Sequence, residues 1–528
     1  MSEPQPARPP AGAPARPPDV PNAPTAGAPA AVPLRRIADA LGRAGLLAEA
    51  RGDLPAAVAA IVDDSRRAAP GALFVAVRGS VQDGHAFLPD AERRGAGVAL
   101  VEDPAATALP ALVVRDGRRA AAVAAAAFYG DPAAGLALVG VTGTNGKTTT
   151  VGMLRHLLDA PGRPAASVGT LGVLAGSAGE PVPGGAGLTT PGPVELQRLL
   201  RALADRGVRA VAMEVSSHAL DQRRVEGVQF QAAVFTNLTR DHLDYHGTME
   251  AYLAAKARLV DHVAADGAAV VNADDPAWGQ LARRARTVTY SAAGDRDADV
   301  AAEGCRFEAA GTRFTLRAGD RRAAAQLPLV GDFNVANAVA AAAAAVAIGL
   351  PPEEAALRLG TLPQVPGRLE RLCERPAVLR DYAHTPDALE RALRAVRPFA
   401  RGRLVVVFGA GGDRDRGKRP EMGRIAAELA DAVILTSDNP RTEDPERILD
   451  DIEAGLGGRP HERVEDRRAA IARALATAGP DDIVLLAGKG HETYQIRGTE
   501  TLPFDEAAIV RELVAAAADE GALAGGGA

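Results

Sequence analysis

Cysteine is nearly absent from this sequence of 528 residues, which contains only Cys305 and Cys373. The two lie far apart and form no C-x-x-C pattern, so neither a disulfide framework nor a zinc site is indicated, which suits a reducing cytoplasm. The N-terminus lacks a cationic stretch followed by an apolar segment, so we expect no signal peptide. The alanine-rich run at 337–350 is too short and too weakly apolar to span a membrane. We therefore expect a cytoplasmic protein without membrane insertion.

Lysine is almost as scarce as cysteine. Only four of the 60 basic residues are lysines, at positions 147, 256, 418 and 489, and the chain otherwise uses arginine. Because an ammonium is a compact point charge and a modifiable amine, a lysine retained against this bias indicates a position where a guanidinium would fail. Six of the seven asparagines, at 145, 237, 272, 334, 337 and 439, also lie in motif-like stretches. The formal net charge of -6 gives no indication of nucleic-acid binding.

The chain divides into a tail and three α/β units. Residues 1–32 are rich in proline and alanine with almost no large apolar side chains, and we expect a disordered tail. Apolar strands alternate with helical segments over 33–133, 134–361 and 362–528. We expect a P-loop ATPase-like parallel sheet in the second unit and a Rossmann-like fold in the third. Because ligands of such sheets bind at the carboxyl ends of the strands, the loops after the strands are candidate sites.

A glycine-rich stretch, GVTGTNGKTTT at 140–150, follows the first apolar strand of the second unit. The strict P-loop pattern G-x-x-x-x-G-K-[ST] fails because Val141 stands at its first position, and the sequence reads G-x-x-G-x-x-G-K-T instead. Small residues still allow backbone N–H groups to close around a phosphate at a helix N-terminus. We expect Lys147 to reach the β- and γ-phosphates of a nucleotide and Thr148 to bind Mg²⁺.

Two further stretches of the second unit contain a candidate metal centre. Glu214 ends the apolar strand AVAMEV, and His242 lies near two aspartates in TRDHLDYH. A carboxylate and an imidazole that end neighbouring strands are suited to hold the metal that bridges phosphates in phosphoryl transfer. Lys256 follows in the alanine-rich segment AYLAAKARL. A lysine on such a helix is by default solvated, but the scarcity of lysine in this chain weakens that interpretation.

The loop GTNGKTT resembles that of the Mur ligase family, ATP-dependent amide ligases of cell-wall synthesis. The stretches NADD at 272–275, GDFNVANA at 331–338, PGRLE at 366–370 and DYAHTPD at 381–387 resemble further motifs of this family, in the same order. The resemblance implies that Glu214 and His242 bind Mg²⁺ and that Lys256 is carbamylated, with His218 and His246 in supporting positions. The ATP-binding residues that it implies are Gly143, Thr144, Asn145, Gly146, Lys147, Thr148, Thr149, Asn272, Asn334 and Arg368.

In the first unit, the stretch DDSR…PGALFVAVRG…DGH resembles the uridine-diphosphate pocket of the tripeptide-forming members of the family, which implies a uridine-nucleotide-binding domain. In the second unit, LTTPGP and EVSSHALDQRR supply hydroxyls and a guanidinium that suit an acidic muramoyl dipeptide. Leu188 stands where the family often has a polar residue, so we assign it no contact. The implied contacts are Ser65, Ser80, Val81, Gln82, Thr189, Thr190, Ser216, Gln222 and Arg224.

Loops of the third unit resemble the amino-acid pocket of the family. The stretch TSDNPRTEDP contains a D-N-P-R sequence that matches the diaminopimelate signature, whose arginine the lysine-adding members lack. Diaminopimelate differs from lysine by a second carboxylate, which an arginine can grip bidentately. Ala410 stands where the family more often has a cysteine, which we interpret as a packing difference. The implied contacts are Arg414, Asp438, Asn439, Pro440, Arg441, Gly488 and Glu492.

The resemblance implies an enzyme that uses ATP and Mg²⁺ to add meso-2,6-diaminopimelate to UDP-N-acetylmuramoyl-L-alanyl-D-glutamate. The amide would form at the D-glutamyl side-chain carboxylate through an acyl phosphate, in peptidoglycan precursor synthesis, and we expect a monomer. One alternative is folylpolyglutamate synthase, but the first unit and the D-N-P-R loop argue against that enzyme. The other is a P-loop ATPase that drives a partner protein, which would not need a third unit rich in arginine, asparagine and acidic loops.

Overall fold

The computed structural model describes residues 31–79, 82–185, 187–279, 281, 286–308 and 311–525. Nearly all of the predicted tail, and the predicted contacts Ser80 and Val81, lie outside these ranges. The described residues form three α/β units in chain order, each with a β-sheet between helices, and this confirms the predicted fold class. None of the described helices is both long enough and apolar enough to cross a membrane.

The first unit packs a five-stranded sheet between helices. Its elements are β1 (Val32–Pro33), α1 (Leu34–Arg43), β2 (Leu47–Arg51), β3 (Ala57–Val58), β4 (Ala60–Val62), β5 (Ala72–Val75), α2 (Leu88–Arg93), β6 (Ala96–Val101), β7 (Ala111–Val114) and α3 (Gly117–Tyr129). The strand order is β2-β7-β6-β5-β4, with β2 antiparallel to β7 and the other pairs parallel. Helices α1 and α3 cover one face and α2 covers the other.

The second unit contains an eleven-stranded sheet. Its strands are β8 (Ala137–Thr142), β9 (Ala165–Gly169), β10 (Gly172–Ala175), β11 (Glu180–Val182), β12 (Ala210–Glu214), β13 (Phe230–Phe235), β14 (Val263–Asn272), β15 (Thr287–Ser291), β16 (Val300–Glu308), β17 (Gly311–Ala318) and β18 (Arg321–Leu327). Its helices are α4 (Lys147–Leu158), α5 (Pro193–Asp205), α6 (Ser217–Asp221), α7 (Leu243–His246), α8 (Met249–Ala257), α9 (Asp332–Ala347) and α10 (Pro352–Leu359). The strand order is β11-β10-β9-β12-β8-β13-β14-β15-β16-β17-β18.

The prediction of a parallel sheet in this unit is confirmed for the central strands, from β9 to β16 in sheet order. At the edges, β10, β11, β17 and β18 pair antiparallel with their neighbours. The reason is the length of the connections, because the edge strands follow one another through short turns, whereas parallel pairing needs a long crossover.

Helix α9 packs against α4 and the central strands in one hydrophobic core. Its alanines from Ala340 to Ala345 are all fully buried. Because their side chains are small, the helix is enclosed by its neighbours and approaches them closely. Asn337, in the second turn of this helix, consequently lies against the loop that follows β8.

The third unit contains a six-stranded sheet of order β19-β20-β24-β21-β22-β23, in which β19 is antiparallel to β20. Its strands are β19 (Glu370–Glu374), β20 (Ala377–Asp381), β21 (Leu404–Phe408), β22 (Ala432–Leu435), β23 (Glu462–Arg463), β24 (Ile483–Ala487), β25 (Tyr494–Arg497) and β26 (Glu500–Pro503). Its helices are α11 (Pro386–Val396), α12 (Lys418–Leu429), α13 (Pro445–Glu453), α14 (Arg467–Thr477) and α15 (Glu506–Gly525). Helices α11 to α13 cover one face of the sheet, and α14 and α15 cover the other.

Candidate active site

The phosphate loop joins the carboxyl end of β8 to the N-terminus of α4, in the middle of the central sheet. Gly143 and Gly146 have φ angles of 148° and 85°, conformations that favour glycine. Space also excludes side chains there, because a Cβ at Gly143 would lie 1.8 Å from Thr236 Oγ1 and one at Gly146 would lie 2.3 Å from Asn337 Oδ1. Both glycines are therefore required for the loop to close over the N-terminus of α4.

Residues after β13 hold the phosphate loop, and the sequence analysis assigned them no role. Asn237 accepts the Asn145 N–H on its side-chain Oδ1 at 2.9 Å and the Thr144 N–H on its backbone oxygen at 2.8 Å. Thr236 donates its hydroxyl to the Asn145 carbonyl at 2.7 Å. The scarcity of asparagine pointed to Asn237, but only the pairing of β13 with β8 shows what it holds.

Asn272 and Asn334, predicted to bind ATP, are buried and hydrogen-bonded within the protein. Asn272 Nδ2 donates to the Thr236 carbonyl at 2.7 Å, and Asn334 Nδ2 donates to the backbone carbonyl four residues earlier at 2.8 Å. It is Asn337, one helical turn beyond Asn334, that reaches the loop, where its Oδ1 accepts the Thr150 hydroxyl at 3.4 Å. Both predicted residues thus support the site, and their direct contact with a nucleotide stays a prediction.

Two lysines converge on one carbonyl of this loop, and we call Lys147 and Lys256 the central lysine pair. Their Nζ atoms donate to the Gly143 carbonyl at 2.9 and 2.7 Å, and Lys147 also donates to the Thr144 carbonyl at 2.8 Å. Lys256 is 1% exposed and lies over the Tyr252 ring. Burial, and then the Lys147 charge, hold the pKa of Lys256 well below its ordinary value. The surroundings of Lys256 thus favour the neutral amine, which is the form that reacts with CO₂.

Glu214 ends β12 beside β8, and its carboxylate is fully buried. Thr170 donates its N–H to Glu214 Oε1 at 2.8 Å, and its hydroxyl lies 3.1 Å from Oε2 and 3.3 Å from the hydroxyl of Thr189. Thr148 lines the same cavity as Glu214 and accepts a hydrogen bond from Arg368 at 3.0 Å. Two of the three predicted metal-binding residues, Thr148 and Glu214, therefore meet at one cavity.

His242 begins the turn into α7 in a left-handed conformation, with φ 54°. Its Nε2 lies 3.6 Å from an oxygen of Asp241, and its ring meets the His218 ring edge-on, with the centroids 4.9 Å apart. Burial, and then His242 and His246, lower the pKa of His218 to about 4, so that this ring is neutral at physiological pH.

A metal site built from protein side chains alone is absent from the described part of the chain, where no three His, Cys, Asp or Glu side chains are arranged to hold a metal ion. Mg²⁺ commonly takes one or two protein carboxylates and completes its shell with phosphate oxygens and water. Glu214 and His242 each lie within electrostatic reach of Lys147, and their binding of Mg²⁺ stays a prediction.

Four predicted dipeptide contacts form one hydrogen-bonded network at the carboxyl end of β12. The Thr190 hydroxyl donates to the Glu214 carbonyl at 2.9 Å and accepts the Ser216 N–H at 3.0 Å. Arg224 donates to the Thr190 carbonyl at 2.8 Å and to the Gln222 side-chain oxygen at 2.7 Å. These residues lie together as the sequence predicts, and their contact with a substrate stays a prediction.

The predicted contacts of the first unit lie apart from this network. Ser65 is buried after β4, and its hydrogen bond to Asp90 is the first of the interactions that lower the pKa of that carboxyl to about 2. Gln82 is exposed. The first unit approaches the network through Asp63, whose Oδ2 would lie 3.6 Å from a Cβ at Gly192.

Arg414 and Arg441 approach each other across Gly411 in the third unit. A Cβ at Gly411 would lie 2.9 Å from Arg441 Nη1 and 3.7 Å from Arg414 Cγ. Arg441 Nη1 donates to the Gly412 carbonyl at 2.7 Å, whereas its buried Nε has no hydrogen-bond partner among the described residues. Burial, and then the Arg414 charge, lower the pKa of Arg441. Two adjacent cations with an unpartnered donor are suited to bind a carboxylate.

Asn439, Lys489 and Glu492 form a second cluster beside these arginines, and we call it the buried triad. Lys489 is fully buried, and its Nζ lies 2.9 Å from Asn439 Oδ1 and 3.2 Å from Glu492 Oε2. Asn439 Nδ2 donates to the same Oε2 atom at 2.9 Å. Burial raises the pKa of Glu492, and Lys489 opposes that rise. Asn439 and Glu492 are among the residues predicted from the sequence, whereas Lys489 is not, because its only signal in the sequence is the scarcity of lysine.

The other predicted contacts of the third unit shape the backbone of this pocket. A Cβ at Gly488 would lie 2.3 Å from Asp438 Oδ2, and one at Gly412 would lie 1.8 Å from the Pro440 carbonyl. All of these residues lie in loops after β21, β22 and β24, which are neighbours in the sheet. The third unit therefore builds its pocket at the carboxyl ends of its strands, as predicted for this class of sheet.

The phosphate loop contacts the third unit directly. Asn145 Nδ2 donates to Asp387 Oδ2, in the first turn of α11, at 2.9 Å. Lys418 donates to a backbone carbonyl of the third unit at 2.7 Å. Burial lowers the pKa of Lys418, whereas Asp438 from the pocket and Asp241 from the second unit oppose that change. One lysine thus lies within electrostatic reach of both sites, and neither it nor Asp387 was assigned a contact from the sequence.

Three family models match this chain with the order and spacing of its three units. The one described as Mur ligase family, catalytic domain, matches residues 58–134. The Mur ligase middle domain matches residues 141–345, and the Mur ligase, glutamate ligase domain matches residues 367–490. The chain belongs to the Mur ligase family.

Individual proteins are similar to this chain along most of its length. The UDP-N-acetylmuramoyl-L-alanyl-D-glutamate--2,6-diaminopimelate ligase of Gloeobacter violaceus is 46% identical over 489 residues, which are 91% of this chain and 98% of that protein. A solved structure of a ligase of the same name has a TM-score of 0.64 and 34% identity, and the match covers 88% of this chain and 97% of that chain. A Mycobacterium tuberculosis folylpolyglutamate synthase complexed with ADP has a TM-score of 0.59 at 21% identity, covering 70% of this chain and 91% of that chain, which shows a shared fold alone.

Proposed function

We propose that this protein is an ATP-dependent ligase that joins meso-2,6-diaminopimelate to the D-glutamyl side-chain carboxylate of UDP-N-acetylmuramoyl-L-alanyl-D-glutamate, in peptidoglycan precursor synthesis. The observation that carries the proposal is the direct contact between the phosphate site and the third unit, through the Asn145–Asp387 and Arg368–Thr148 hydrogen bonds at 2.9 and 3.0 Å. A ligase needs its activated carboxylate and its incoming amine within reach of each other. The names of the relatives support the same substrates.

The residues of the phosphate loop fit ATP. Its two glycines close the loop, and the buried Nε of Arg368 has no hydrogen-bond partner within the described ranges, which leaves a donor for a nucleotide. ATP, when bound, supplies the phosphoryl group that activates the carboxylate as an acyl phosphate. Lys147 would stabilise the charge of the phosphates, and Glu214 and His242 would hold Mg²⁺, which would supply further positive charge there.

Lys256 is proposed to act as a carbamate. Its surroundings hold its pKa well below the ordinary value, which supplies the neutral amine that such a modification needs. The carbamate would place a negative charge next to Lys147, where the unmodified structure has two lysine Nζ atoms on the Gly143 carbonyl.

In this proposal the second unit holds the muramoyl dipeptide and the third unit holds diaminopimelate. Arg224 and the hydroxyl of Thr190 suit the acidic dipeptide and present its carboxylate towards the phosphate loop. Arg414 and Arg441 suit the distal carboxylate of diaminopimelate, and Glu492 suits the ammonium beside it. The other amine of diaminopimelate attacks the acyl carbon, and phosphate leaves.

A single assay tests this function. The enzyme is incubated with ATP, Mg²⁺ and the UDP-muramoyl dipeptide, diaminopimelate or lysine is added, and the product is weighed by mass spectrometry. We expect the diaminopimelate adduct together with ADP, and little product from lysine. ADP release that needs no amine would indicate a partner-driving ATPase instead, and equal use of lysine would contradict the assigned amine.

A further inference from the structure

Lys489 is a buried lysine to which the proposed reaction gives no role. It lies after β24 and is 0% exposed, in a chain that otherwise uses arginine for positive charge. Burying an ammonium is unfavourable unless it is paired and hydrogen-bonded. Its two partners, Asn439 Oδ1 at 2.9 Å and Glu492 Oε2 at 3.2 Å, supply that compensation.

These contacts fix the direction in which the Asn439 amide faces. Its Oδ1 accepts from Lys489 Nζ and also from the Ile496 N–H at 3.0 Å, which fills both acceptor positions of the oxygen. Its Nδ2 therefore faces Glu492 Oε2, at 2.9 Å. A flipped amide would turn its NH₂ group against an ammonium and a backbone N–H, so the network selects one orientation.

Glu492 is surrounded by groups that act on its charge. The titratable and charged groups that face it are Asp438, Arg441, Lys489, Tyr382 and Tyr494. Burial raises the pKa of Glu492, and so does Asp438, whereas Lys489 and a hydrogen bond from Asn439 lower it. Loss of the Lys489 ammonium would thus favour the protonated carboxyl, which cannot pair with a substrate ammonium.

We propose that Lys489 is a positioning residue for the amine substrate, which acts through Glu492 and Asn439. It holds the Glu492 carboxylate ionised and in place to accept the distal ammonium of the incoming amino acid. It also turns the Asn439 amide so that this side chain offers the substrate N–H donors alone. The inference rests on the function proposed above.

The test begins with Lys489→Met, which keeps the length of the side chain and removes its charge. The KM for diaminopimelate should rise about tenfold to a hundredfold, the range that one charge-assisted hydrogen bond represents. The KM values for ATP and the UDP-muramoyl dipeptide should stay at the wild-type level. Arg403→Met is the matched control, because it removes a cation that pairs with Asp482 at 2.8 Å, beyond the opposite end of β24, and all three KM values should be unchanged.

The pH profile distinguishes positioning from a structural role. In Lys489→Met, the KM for diaminopimelate should rise further relative to wild type as the pH is lowered, because burial raises the pKa of Glu492 and the cation that opposes this rise is gone. Glu492→Gln cannot titrate, so Lys489→Met should add little in that background and the pH-dependent part should vanish.

Each outcome of these measurements either supports or overturns the positioning role of Lys489. Additive effects of the two substitutions, or an equal rise in all three KM values, would overturn the positioning role. If Lys489→Met does not fold by circular dichroism, Lys489→Gln has the same expected result in the same assays. Wild-type enzyme that fails to ligate diaminopimelate overturns the proposed function and this inference with it. If the wild-type enzyme ligates diaminopimelate and Lys489→Met has an unchanged KM for it, only the positioning role of Lys489 is overturned.

Discussion

The central lysine pair and the buried triad bury a lysine in two different ways. Lys256 and Lys489 are 1% and 0% exposed. Lys256 donates to the Gly143 carbonyl next to a second ammonium, and among the described residues no carboxylate forms an ion pair with it. Lys489 forms an ion pair with Glu492 at 3.2 Å. The first environment favours a neutral, modifiable amine and the second a fixed ion pair, so the neighbours of a buried lysine, and not its burial, indicate its role.

The largest expected effect comes from Lys147→Ala. Ligation should be lost by at least about a hundredfold, because a preorganised donor to the phosphates is removed, while binding of the UDP-muramoyl dipeptide in calorimetry should stay intact. The variant also sharpens the comparison, since removing the second ammonium should bring the pKa of Lys256 back towards its ordinary value. Normal turnover of this variant would contradict the role of the loop in binding ATP.

Lys256→Arg should lose activity to a similar degree, because a guanidinium cannot form a carbamate. Lys256→Ala should also be inactive, and a short carboxylic acid in the buffer should restore part of its turnover by filling the vacated space with an anion. Turnover with and without the added acid is the measurement. A fully active Lys256→Arg enzyme would show that Lys256 acts only as a buried cation. The contrast between Lys256 and Lys489 would then disappear.

Arg441→Ala should narrow the preference for diaminopimelate over lysine by about tenfold to a hundredfold, since a lost charge-assisted hydrogen bond costs about 1.5–3 kcal/mol. Lysine has no distal carboxylate and should lose much less kcat/KM than diaminopimelate does. The check is the ratio of the two kcat/KM values in wild type and variant. An unchanged ratio would show that the D-N-P-R loop is not the selector.

The smallest expected effects are on stability, and they have opposite signs. Lys489→Met should lower the free energy of unfolding by about 1–3 kcal/mol, because Glu492 and Asn439 lose a buried partner. Lys256→Met should raise it relative to enzyme held in CO₂-free buffer, because it removes a buried amine whose pKa burial lowers.

The pH dependence of the second effect has a definite sign. The pKa of Lys256 is lowered in the folded state, so the unfolded chain binds more protons up to about pH 10.5 and the stability of the unmodified enzyme rises with pH in that window. The gain from Lys256→Met should therefore shrink as the pH approaches 10.5. Denaturant unfolding at several pH values measures it, and effects of equal sign for the two variants would break the comparison.

The sequence by itself determined the layer architecture and the family, and it predicted the key side chains. Strand and helix patterns are local and therefore readable, and so are G-x-x-G-x-x-G-K-T around Lys147 and D-N-P-R around Arg441. The scarcity of lysine and asparagine marked further positions without giving them partners. The prediction failed at the edges of the central sheet, where the short turns after β9 and β16 impose antiparallel pairing.

Only the tertiary structure decided which groups meet. The Gly143 carbonyl and Lys256 are 113 residues apart in sequence, and Lys489 and Asn439 are 50 apart, yet each pair is hydrogen-bonded. The same structure placed Asn337, for which the sequence predicted no role, against the phosphate loop. Such contacts depend on strand order and on how closely an alanine helix can pack. Neither the strand order nor the helix packing is encoded within one short stretch of sequence. The contacts therefore follow from the assembled sheets and from no single motif.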